Sequence, residues 1–224
     1  MCGTWISKRA ALLALFVLAG LSGPAQPVAS FWTDTYVGRL QALALLQTLN
    51  AELLASRSAT LTLERWCRDH RLAAQPLVVA RLIAGDAKAP TAEQMGRLQV
   101  AAAHEVKYRR VELRCGDVLL SVADNWYVPG RLTAAMNRAL ETTDEPFGKA
   151  VRELEPTRQT IGMTLLWAPL PEGWEMGVAG DGAAMPEALL EHRAVLFTRE
   201  RKPFSEVREV YQRGLFRFAP PPSK

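Results

Sequence analysis

The chain has 224 residues, 49% hydrophobic and 22% charged, which excludes disordered and fibrous classes and suits one folded domain. The formal net charge is +4, but Lys8 and Arg9 belong to an N-terminal segment of different character. Without those two, 25 of the 27 basic residues remain against 23 acidic ones, a net of +2, so neither nucleic acid nor an anionic membrane is implied as a partner. Lys8 and Arg9 precede an apolar run from Ala10 to Leu21, followed by Gly23, Pro24 and small residues up to Ser30. This order predicts a signal peptide over 1–30, leaving a domain over 31–224. The run is too short for a permanent membrane span, which needs about 20 apolar residues.

From Val37 to Ala55, leucines at 40, 43, 46, 49 and 53, widened by Leu45, predict an amphipathic helix. Thr60 or Thr62 is placed to cap a second helix carrying Leu63, Trp66 and Cys67. PLVVARLIA reads as a strand, and TAEQ from Thr91 to Gln94 has capping-box spacing. The segments EVKYRRVELR and VLLSVADNWYVP flank a Gly116-Asp117 turn and predict an antiparallel pair. Within it Val111, Leu113 and Cys115 alternate with Arg110, Glu112 and Arg114, which implies one core face and one polar face. Thr133 can cap a helix through Met136 and Leu140. IGMTLLW is extended, the Gly- and Pro-rich stretch PLPEGWEMGVAGDG is a loop, and LLEHRAVLF and PFSEVREVYQRGLFRF return to strands. Helices early and paired strands later predict an α+β fold, an antiparallel β-sheet with helices packed on it.

Several chemistries find no support. GVAGDG lacks the Lys-Ser/Thr of a phosphate loop, and no G-x-S-x-G elbow exists. His70, His104 and His192 are scattered and no C-x-x-C occurs, so neither a metal nor a cofactor is expected. Cys67 and Cys115 form one disulfide if their Cα atoms lie within about 7 Å; otherwise they are two buried thiols.

Four segments, YRRVELRCGD with NWYVP, LETTDEPFG, HRAVLF and KPFSEVREVYQRGLFRF, resemble in order and spacing the chorismate lyase family, over Thr60 to Phe218. Relatives of that family include effector-binding domains of bacterial transcription regulators. The resemblance implies an internal ligand cavity under helical flaps. It also implies conversion of chorismate to 4-hydroxybenzoate and pyruvate, a step of ubiquinone biosynthesis. Counting back from Cys115, it maps Arg110 onto the family's carboxylate-binding arginine; Arg109, on the more apolar face of the strand, is the spare candidate. It maps Glu209, or else Glu206, onto the glutamate facing the hydroxyl end of the ring, and Phe147, between Pro146 and Gly148, onto a backbone contact. His192 and Arg193 are candidates for an anion site near the cavity mouth, or for a cross-strand surface role.

An arginine fork grips a carboxylate bidentately, and a carboxylate near the reacting carbon can take the proton that leaves as the ring aromatises. The residues alone also allow plainer roles. Arg110 shares parity with Glu112 and Arg114 and fits a solvated ladder of charges; Glu209 fits a surface pair with Arg208; Trp126, Tyr127, Phe147 and Trp167 fit the core. Two functions follow as expectations: a periplasmic or secreted monomeric lyase with Arg110 and Glu209 as catalytic pair, or an exported non-catalytic binding protein for a small aromatic carboxylate.

Overall fold

The computed structural model describes Met1 and residues 34–85, 87–177 and 184–218. The expected signal peptide and most of GVAGDG lie outside the described residues. Helix α1 (Tyr36–Ala55) starts at Thr35, whose hydroxyl accepts from the Gly38 amide at 3.1 Å. Its apolar stripe buries Ala42, Leu46, Leu49 and Leu53. Helix α2 (Ala59–Asp69) is capped by Ser58, two residues before Thr60 and four before Thr62. Thr60 and Thr62 lie inside the helix and are buried. Helix α3 (Ala92–Leu98) opens with the predicted capping box of Thr91 and Gln94, and α4 (Ala134–Thr142) is capped by Thr133. The short α5 (Phe147–Ala150) follows Pro146. Among the described residues no helix is long and apolar enough to cross a membrane.

Six strands form one sheet: β1 (Val78–Leu82), β2 (Lys107–Cys115), β3 (Val118–Tyr127), β4 (Thr157–Leu165), β5 (Ala188–Phe197) and β6 (Pro203–Gln212). Their order is β1-β2-β3-β6-β5-β4 with every neighbouring pair antiparallel. The α+β class read from the sequence is the observed one.

Gly116 makes the tight β2–β3 turn with φ +54°, a conformation other L-residues adopt at a cost. Gly214 is required by contact: a Cβ there would stand 2.1 Å from the Leu119 carbonyl oxygen.

The two faces of the sheet differ. On one, α1, α2 and α5 pack over Val111, Leu113, Ala123, Val207 and Tyr211 in the main core. A disulfide joins Cys67 of α2 to Cys115 of β2 across 6.5 Å between Cα atoms. The indole of Trp66 donates to the Leu215 carbonyl at 2.9 Å. On the other face α3 covers one end only, where Leu98 packs with Trp126 and Val128.

Candidate functional site

Between the sheet and the start of α2 lies a cavity. Val111, Leu113, Ala123, Val207, Leu196 and Phe147 make its apolar walls; Asn125, Arg158 and Glu209 supply polar groups, and Arg57, Ser58 and Thr60 also line it. The space open to the centre of a water is about 40 Å³, on the order of three waters. Helix α5 closes tightly against α2: a Cβ on Gly148 would sit 2.9 Å from Ser58 Oγ.

The charged end is built by cross-strand neighbours. Val111, Ala123, Glu209 and His192 form one row over β2, β3, β6 and β5. Glu209 Oε2 accepts from Arg158 Nη2 at 2.6 Å and from the Tyr211 hydroxyl at 3.0 Å. Arg158 reaches it from β4, over β5, and also donates to Thr160 Oγ1 at 3.1 Å. Burial pulls the Arg158 pKa down, but the Glu209 charge, Tyr211 and the hydrogen bond to Glu209 together outweigh it and the net shift is upward. Burial, with Glu209 adding to it, raises the Tyr211 phenol well above its usual value. His192 is fully buried with Nε2 2.8 Å from Asn50 Oδ1. Burial first and the Arg158 charge second push its pKa down to about 4, Glu209 opposing, so the imidazole is neutral at pH 7.

The neighbouring row, Arg109, Asn125 and Val207, lies two residues along the same strands. Arg109 is only 4% exposed. Its Nη2 donates to the Glu145 carbonyl at 3.2 Å, while Nε and Nη1 have no hydrogen-bond partner among the described residues, nor has Nδ2 of Asn125. Burial lowers the Arg109 pKa. Arg109 and Glu209 are two strands and two residues apart, which puts their Cα atoms about 12 Å from each other.

Several expectations are corrected. Arg110 does not share the cavity with Glu209; its side chain is on the opposite face with Nε 3.7 Å from Asp124 Oδ1. Successive strand residues point to opposite faces, and with Val111, Leu113 and Cys115 in the core the inward arginine is Arg109. Arg193 is also on the opposite face, with Nε 3.6 Å from Glu191, whereas its neighbour His192 turns inward. Glu206 is held outside the cavity by Arg97 at 2.8 and 2.9 Å and by Gln94 at 3.2 Å. Phe147 is a cavity wall, and Glu209 pairs with Arg158 rather than Arg208. Arg158, Asn125, Tyr211 and Asn50 were not singled out from the sequence; strand parity was the signal that could have favoured Arg109. Among the described residues no cluster of His, Cys, Asp or Glu is arranged to hold a metal.

Fold and site together define an α+β domain whose helix-covered sheet face encloses a small cavity with paired charges at one end. No family model matches the chain. It belongs to the family of the protein named "Uncharacterized protein y4mC" of Sinorhizobium fredii, with 48% identity over 196 residues, 85% of this chain and 83% of the relative. Among solved structures, PhnF from Mycobacterium smegmatis is similar at TM-score 0.45 and 16% identity, over 71% of this chain and 65% of that one. Its effector domain alone gives 0.40 and 15%, over 60% and 80%. A GntR-family transcriptional regulator from Enterococcus faecalis gives 0.39 and 14%, over 65% and 99%.

Proposed function

We propose that this domain binds a small organic acid of aromatic size, its carboxylate received by Arg109 and Asn125 and its far end facing Glu209 and Arg158. The observation that carries the reading is the buried guanidinium of Arg109, beside the cavity-lining Asn125 in the sheet, whose Nε and Nη1 have no hydrogen-bond partner among the described residues. Burying a charged group with unmet donors is costly, and an anion extending past Asn125 from the cavity would offset that cost with charge-assisted hydrogen bonds. The distance of about 12 Å between the Arg109 and Glu209 Cα atoms suits one six-membered ring spanned by two side chains.

Capture without turnover is favoured over the lyase reaction. The Glu209 oxygen that would have to take the ring proton, Oε2, is already occupied by donors from Arg158 and the Tyr211 hydroxyl. The Cys67–Cys115 disulfide supports work in an oxidising compartment after export. The lyase is the second reading, favoured by the position of Glu209 on the cavity wall.

The test is calorimetric titration of the full chain with 4-hydroxybenzoate, beside incubation with chorismate followed by assay for pyruvate. Saturable binding that weakens at least tenfold in Arg109→Ala and is unchanged in Arg110→Ala is expected, without pyruvate. Binding indifferent to Arg109→Ala, or none, overturns the reading; pyruvate release abolished by Glu209→Gln establishes the lyase instead.

A further inference from the structure

The face of the sheet away from the cavity carries a second arrangement of charge. Pairing places Arg110, Asp124, Arg208 and Arg193 side by side in one row across β2, β3, β6 and β5, ending at Gly162 on β4. Arg208 and Arg193 are directly opposite each other, a like-charge pair that by itself weakens a sheet. With no side chain on Gly162, the guanidinium of Arg193 extends over the edge strand; a Cβ there would meet its Nε at 4.0 Å.

Lys88 joins the row from the loop before α3, with Nζ 3.3 Å from Asp124 Oδ1. Asp124 also receives Arg208 Nη1 at 3.5 Å and the Tyr108 hydroxyl. Glu191 takes Arg208 Nη2 at 2.6 Å and Arg193 Nε at 3.6 Å. Four cations thus share two carboxylates, and the layering is one-sided. The four basic side chains are 41–56% exposed, whereas those of Asp124 and Glu191 are 3% and 15% exposed. Solvent meets the cationic tips, with the neutralising groups beneath them.

We infer that this row is a docking surface for an extended acidic segment of a partner polypeptide. Guanidinium forks match carboxylates two bonds at a time. The row spans three strand spacings, about 14 Å, close to the distance between the first and last of three acidic residues alternating along an extended chain. Base stacking has little to use: Tyr108, the aromatic ring beside the row, is half-buried and bonded to Asp124. Insertion into lipid has little either, because Val122 and Val210 in the neighbouring row are half-buried within the sheet. The surface is independent of the cavity, from which the sheet separates it.

Fluorescence anisotropy of a labelled alternating Glu-Ser octapeptide, titrated with the full chain at low salt, tests the inference. Binding is expected to weaken at least fivefold in Arg110→Ala/Arg193→Ala and to vanish in Arg110→Glu/Arg193→Glu. Arg110→Lys/Arg193→Lys should retain part of it, and Arg65→Ala on α2 should leave it unchanged. Peptide binding indifferent to these row variants, or preferential binding of a phosphatidylserine vesicle or a single-stranded oligonucleotide, overturns it.

Discussion

Arg109 and Arg110 are consecutive in the chain, yet one is buried with two unpaired N–H groups and the other lies half-exposed beside a carboxylate. The whole sheet repeats that contrast. Its helix-covered face buries Glu209, Arg158, His192 and Tyr211 in a network around a cavity. Its open face spreads Arg110, Arg208 and Arg193 over shielded carboxylates. The same side chains therefore carry different energies on the two faces. Inside, each pair offsets a large desolvation cost; outside, water does most of that work and each pair adds little.

The contrast is sharpest where one partner is removed. Arg158→Ala strands the Glu209 carboxylate in the core, with an expected loss of up to about 5 kcal/mol in urea unfolding, while the paired change Arg158→Met/Glu209→Gln should recover most of it. Arg110→Ala on the open face should cost under about 1 kcal/mol; equal losses from Arg158→Ala and Arg110→Ala would erase the distinction.

Reduction of Cys67–Cys115 tests what holds α2 against the helix-covered face. The bonded cysteines are 48 residues apart, and loop entropy gives about 4 kcal/mol for a closure of that size. Urea melts with and without a dithiol reductant should differ by that order, and unchanged midpoints would show that packing of Trp66 and Leu63 alone secures the helix.

A pH dependence is expected to be somewhat smaller than the effect of the disulfide. His192 has a folded pKa of about 4 against an ordinary 6.5, so between those values the unfolded chain binds more protons. Stability should be complete above pH 6.5 and fall as pH drops toward 4, by about 3 kcal/mol. His192→Gln should flatten that part of a stability profile recorded by thermal melts; an unchanged slope would assign the dependence to other groups.

Much of this was legible in the chain. The two-residue alternation of Val111, Leu113 and Cys115 identified the core face of β2, and the Thr91–Gln94 capping box and the Thr133 cap marked two helix starts. That alternation also favoured Arg109 as the inward arginine; counting back from Cys115 slipped the choice by one residue, which in a strand reverses the face. Arg158 gave no such signal. It meets Glu209 51 residues later in the chain, and that meeting depends on β4 lying beyond β5 in the strand order.

By itself the sequence determined the α+β class, the course of the strands and most helix ends, because hydrophobic period and capping chemistry act between residues a few positions apart. Only the tertiary structure decided which arginine is buried, that Cys67 meets Cys115, and that Arg158 neutralises Glu209. Those outcomes depend on distances between segments far apart in the chain, which sheet order and helix packing set and local pattern does not encode.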